Sequence, residues 1–142
     1  MTGTRLVKHE TVVWKKEIST ITFANSTGAV SVFTVTGDVI ARVVPIGKTS
    51  VTSAAAGNIR LGISGNTDAM IADTVGTTIV ANNIWIDASP DSQIEAESAS
   101  RDYIVSNGQD IILTLSAQID TGAIGFYCTW RPLSNDGTVV PA

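Results

Sequence analysis

The stretch GAIGFYCTWR (residues 122–131) decides the fold class. Successive strand residues point to opposite faces. Ile124, Phe126, Cys128 and Trp130 therefore share one side, and Gly125, Tyr127, Thr129 and Arg131 share the other. The first set is apolar and belongs in a core. Immediately upstream, DIILTLSA (110–117) repeats the pattern, with Ile111, Leu113 and Leu115 facing in and Thr114 and Ser116 facing out. The two rows match, and both belong in the core.

Working outward, the same reading covers the chain. TVVWKK (11–16), EISTITFA (17–24) and AVSVFTV (29–35) are rich in β-branched residues and are separated by the turn chemistry of Asn25-Ser26-Thr27-Gly28. DVIARVVPI (38–46) is apolar on both faces, with Val39, Ala41 and Val43 opposing Ile40, Arg42 and Val44. Such a strand is central or covered by a neighbouring subunit, and Pro45 is expected to mark its end or an edge. Weaker strands are expected at 50–56 and 58–63. Residues 65–76 read either as a helical turn between Asp68 and Asp73 or as a loop before a strand at 77–81. Further strands are expected at 83–88, 92–97 and 102–106, and residues 132–142 read as a loop-like tail. Nine or ten short strands with turns every 8–12 residues predict an all-β antiparallel β-sandwich of jelly-roll or related topology. Residues 1–16 form a basic arm or first strand, and residues 17–142 form the sandwich domain.

The 142 residues suit one domain, and a charged fraction of only 15% beside 44% hydrophobic residues gives a weakly charged surface. No apolar run approaches the roughly 20 residues of a membrane span, and the N-terminus lacks the apolar core of a secretory signal. A soluble protein made in a cytoplasm is expected. The net charge of −4 is unevenly placed: residues 1–16 carry four basic side chains against Glu10, and the remainder carries five basic against twelve acidic. An acidic body disfavours nucleic acid, which needs clustered Lys and Arg. The basic start either docks on an acidic partner or is an ordinary solvated strand.

Catalytic chemistry finds little support, and no enzyme activity is expected. Gly47-Lys48-Thr49 resembles the end of a phosphate-binding loop, but Arg42 stands where that motif needs its first glycine. One His9 and one Cys128 cannot build a zinc site, and the alternation buries Cys128 away from any nucleophilic role. Asp87, Asp91, Glu95 and Glu97 crowd one stretch, which is either a solvated acidic loop or an oxygen-ligand site for calcium. No cofactor is implied. Exposed Trp, Tyr and Arg are common interface anchors. The candidate interface residues are Arg5, Lys8, Trp14, Lys15, Lys16, Ile40, Arg42, Val44, Trp85, Tyr127 and Arg131. Trp85 is expected to share an accessible face with Asn83 and Asp87.

The stretches GDVIARVVPIG (37–47), GNIRLGISGNTDAMIA (57–72), NNIWIDASPDSQIEA (82–96) and FYCTWRPLSNDGTVV (126–140) together resemble small β-rich structural proteins of tailed bacteriophages. That resemblance implies a virion component, most like a capsid decoration (cement) protein on the outer capsid surface. Its implied partners are the major capsid protein and further copies of itself, as a homotrimer. The alternative is a receptor- or carbohydrate-binding β-sandwich of a tail fibre, with Trp85 as a stacking platform.

Overall fold

The computed structural model describes residues 13–97 and 100–142, so Arg5 and Lys8 lie outside the described residues. Among the described residues eleven strands run in chain order: β1 (Lys15–Thr22), β2 (Ser26–Thr36), β3 (Val39–Thr52), β4 (Asn58–Ile63), β5 (Asn66–Val75), β6 (Asn83–Ile84), β7 (Asp91–Ser92), β8 (Tyr103–Val105), β9 (Ile111–Ile119), β10 (Thr121–Pro132) and β11 (Thr138–Pro141). No α-helix occurs among the described residues. One sheet, sheet A, has the order β1-β10-β3-β6-β7, with β8 also paired to β3, and the other, sheet B, has the order β11-β2-β9-β4-β5.

The pairing has a simple generator. β4 pairs with β5, β3 with β8, β2 with β9 and β1 with β10, all antiparallel. The chain is one long hairpin whose arms roll up together, so that alternate pairs fall in opposite sheets. This is jelly-roll topology, with β6 and β7 inserted beside β3 and β11 added outside β2. Inward rows fill the space between the sheets. Val39, Ala41, Ile124 and Phe126 from sheet A meet Phe33, Ile59, Leu61, Ile111 and Leu113 from sheet B, all buried. The Trp85 ring meets Phe126 edge-on, with centroids 6.5 Å apart.

Several expectations from the sequence give way to tertiary context. β3 runs through Pro45 to Thr52. In a strand, the N–H and C=O of one residue point to the same side. The Pro45 carbonyl accepts the Trp85 N–H at 2.9 Å, so the missing donor faces the sparsely paired β6 side and not β10. Residues 65–76 are neither helical turn nor loop but mostly strand β5, and 77–81 holds the end of a 3-10 turn at Gly76–Thr78. The tail is not a loop: β11 pairs with β2 from Thr138↔Thr36 to Pro141↔Phe33, and Val139 is fully buried. Gly47 lies inside β3 with no helix after it, and a Cβ there would collide with the Val80 carbonyl oxygen. The glycine serves close backbone approach, not phosphate binding.

Phe126 is 0% exposed at the centre of this core. Phe126→Ala is expected to cost about 3–5 kcal/mol of folding stability, measured by denaturant unfolding. A loss below about 1 kcal/mol would place it outside a packed core.

Candidate interface

The outward row of sheet A gathers most of the candidate residues on one face. β1 contributes Lys16 and Ile18, with Trp14 just before its start. Cross-strand register places Lys16 opposite Thr129 and Thr129 opposite Arg42, then Ile18 opposite Tyr127 and Tyr127 opposite Val44. At one end Arg131 lies opposite Ile40, and Ile40 opposite Ile104. At the other, Ile46 lies opposite Ile84. Trp14, Lys16, Ile40, Arg42, Val44, Tyr127 and Arg131 thus belong to a single surface, although they come from three stretches of chain. The periodicity expected for β3 and β10 generates this: β3 alternates buried and half-buried from Val39 to Gly47.

The face interleaves apolar side chains with basic ones. Ile18 is 58% and Ile104 72% exposed, far above the average for large aliphatic side chains in a folded domain. Aromatic rings hold its cations in place. The Arg131 guanidinium stacks 5.5 Å from the Trp14 ring centroid, and the Lys48 ammonium lies 4.9 Å from the Tyr127 ring and donates to the Tyr127 hydroxyl. Lys15 points to the other side of β1, with its ammonium 5.1 Å from the Trp130 ring. Arg42 is different: its Nε donates to Asp102 Oδ1 at 2.9 Å and its Nη1 to Glu97 Oε1 at 3.3 Å. A shallow depression of about 320 Å³ lies between Trp14, Arg42, Asp102 and Thr129. Exposed pairs and cation–π contacts of this kind contribute at most about 1 kcal/mol each.

Trp85 does not belong to this face. It is 0% exposed, and its indole N–H donates to Thr74 Oγ1 at 2.8 Å. Asn83, expected on an accessible side, is also buried. The alternation itself holds through Trp85, with Ile84 turned outward opposite Ile46, but it is Asn83 and Trp85 that face the core; beyond Trp85 the backbone is irregular, so Ile86 is buried as well. Ile18, Ile46, Lys48, Ile84 and Ile104 join the surface without having been singled out in the sequence. Ile18 could have been found, since it continues the alternation Trp14, Lys16, Ile18. Ile84 and Ile104 could not, because their strands are two and three residues long.

The acidic stretch does not converge on a point. Asp87 Oδ1 accepts the Ser89 N–H at 2.8 Å, and Glu97 reaches Arg42. Glu95 is held above its ordinary pKa, first by a hydrogen bond with Asp91 and also by the nearby charges of Asp91 and Asp87. Among the described residues no group of three or more His, Cys, Asp or Glu side chains is arranged to hold a metal ion. No helix among them is long and apolar enough to cross a membrane.

No protein-family model matches the sequence, and no curated protein matches it. Among solved structures, a chain of the acid-stable capsid of the Helicobacter pylori bacteriophage KHP30 aligns over 92% of this chain and 98% of its own, at 10% identity and a TM-score of 0.42. At that level no residue and no role transfers from one chain to the other.

Cys128 sits directly beneath the face, 2% exposed, with burial and then the charge of Glu17 pushing its thiol from 9.0 up to about 12. The unfolded chain ionises this thiol above 9.0 while the folded chain keeps the proton to about 12. Stability from this group is complete below pH 9 and is lost as pH rises through that interval. Denaturant unfolding at stepped pH is expected to show a steeper alkaline loss for the wild type than for Cys128→Ala. Parallel curves would contradict the burial.

Proposed function

We propose that the chain is a structural component of a phage particle, a capsid decoration protein that binds the assembled shell through the outer face of sheet A. The observation that supports this most is the composition of that face. Ile18 and Ile104 are exposed on its two lateral strands, half-buried Ile40, Val44 and Tyr127 lie between them, and Trp14, Arg42, Lys48 and Arg131 are interspersed among them. Apolar surface with Trp, Tyr and Arg interspersed suits contact with another protein. The sequence resemblance to phage structural proteins points the same way, and jelly rolls are common in capsid proteins.

The mechanism follows from mass action. A protein that binds the lattice but not the dissociated subunits shifts the equilibrium toward the intact particle. Several copies joined together engage several capsid subunits at once, so modest contacts suffice. A homotrimer of this chain would meet that demand. The receptor-binding alternative rested on Trp85 as a stacking platform, and its burial removes that platform.

Particles lacking this chain are expected to rupture at a lower temperature than complete ones and to adsorb to cells normally. Poor adsorption by particles as robust as complete ones would overturn the decoration reading.

A further inference from the structure

Asn107 is followed by Gly108, and no other asparagine in the chain precedes a glycine. The pair lies in the crossing from β8 in sheet A to β9 in sheet B. Asn107 has φ 60° and Gly108 has φ 64°, and the Gln109 N–H donates to the Ser106 carbonyl at 3.4 Å. These are the marks of a type I′ turn, whose first central residue takes ψ of about 30°. The turn lies against Gly37 and Asp38, which join β2 to β3. The Gly108 N–H donates to the Gly37 carbonyl at 2.9 Å, and the Asn107 N–H donates to Asp38 Oδ1 at 2.8 Å. Asp38 is itself fixed: its N–H donates to Ser134 Oγ at 2.9 Å, and its carbonyl accepts the Leu133 N–H at 2.8 Å. Asn107 is nevertheless exposed. Its side-chain amide meets water while its main chain is held.

An asparagine before glycine loses its side-chain amide without an enzyme, because glycine has no side chain to hinder its own nitrogen. The Gly108 nitrogen gives up its proton to base and attacks Asn107 Cγ. An N–Cγ bond forms, the Cγ–Nδ2 bond breaks, and Nδ2 leaves as ammonia after taking a proton from solvent. Water then opens the succinimide ring at either carbonyl, giving an aspartyl or an isoaspartyl main chain. The turn opposes the first step in two ways. The proton to be lost is bound to the Gly37 carbonyl. A ψ of about 30° also turns the Gly108 nitrogen nearly opposite Asn107 Cβ about the Cα–C bond, whereas ring closure needs both on one side.

We infer that Asn107 is a deamidation site gated by this turn: the folded chain keeps the amide, and a chain whose turn has opened loses it irreversibly. Either product adds a negative charge to a residue whose N–H binds the Asp38 carboxylate. The isoaspartyl product also inserts a methylene into the main chain between the two hydrogen-bonded nitrogens, so the two turns no longer match. Chains that stay unfolded for long are thereby marked against return to this fold. The inference rests on the turn alone and not on the role proposed for sheet A.

The test incubates the full chain at mildly alkaline pH, in native buffer and in denaturing urea. Mass spectrometry after digestion follows the peptide that holds residue 107. In urea, aspartyl and isoaspartyl products are expected at Asn107 ahead of every other asparagine. In native buffer the reaction is expected to be about tenfold slower or more, since it then tracks the open population of the turn. Asp38→Ala removes the acceptor of the Asn107 N–H. It is expected to speed the reaction in native buffer about fivefold, the factor that corresponds to one hydrogen bond of about 1 kcal/mol, and to leave the rate in urea unchanged. The comparison of native and unfolded wild type needs no variant, so it stands even if Asp38→Ala fails to fold. Equal rates in native buffer and urea, faster loss at another asparagine in urea, or a folded Asp38→Ala that reacts no faster than the wild type would each overturn the inference.

Discussion

The register of β3 against β10 governs both the core and the surface of this protein. The two strands pair from Val39↔Pro132 to Thr52↔Thr121, with irregularities only near the Thr121 end. Trp130 therefore lies beside Ala41, Cys128 beside Val43 and Phe126 beside Pro45, all turned inward. Arg131, Thr129 and Tyr127 lie beside Ile40, Arg42 and Val44, all turned outward. A slip of one residue would exchange the two sets. It would bury Arg42 and Arg131 and expose Phe126 and Trp130. The burial of the inward row thus fixes, without further interaction, which side chains the outer face presents.

The outer face inherits its odd composition from this arrangement. A sheet with one face in solvent ordinarily alternates apolar-in with polar-out. Sheet B comes closer to this: Ser31, Thr34, Thr36 and Ser116 are exposed on its outer side, with half-buried Ile112 and exposed Val140 among them. Sheet A does not, because Ile18, Ile40, Val44, Ile46, Ile84 and Ile104 are turned outward. Among them Arg131 lies over the Trp14 ring and Lys48 over the Tyr127 ring. Desolvating such a surface against a second protein costs less than desolvating a field of separately hydrated lysines.

The sequence reveals much of this, for identifiable reasons. Long strands with strict period-two patterning, β3, β9 and β10, are legible because one face is buried along their whole length. The candidate residues that they carry therefore fall together. Short strands are not legible. Trp85 is mistaken for an exposed residue because Ile84 and Ile86 look like the inward row; the core instead takes the face of Asn83 and Trp85, where the indole N–H finds a partner in Thr74, eleven residues away. Pro45 misleads because proline tolerance depends on which neighbour lies on the donor side, a fact of sheet order. The tail misleads because β11 is specified by β2 and by the burial of Val139, not by its own pattern.

Contact between the outer face of sheet A and other protein is the proposal that an intact particle can test. Hydroxyl-radical footprinting of the chain, free in dilute solution and bound on purified particles, measures this residue by residue. On the particle Trp14, Ile18, Ile104 and Tyr127 are expected to lose reactivity, while Val140 at the outer margin of sheet B keeps it. Unchanged labelling on sheet A together with protection of Val140 and its neighbours on sheet B would contradict it.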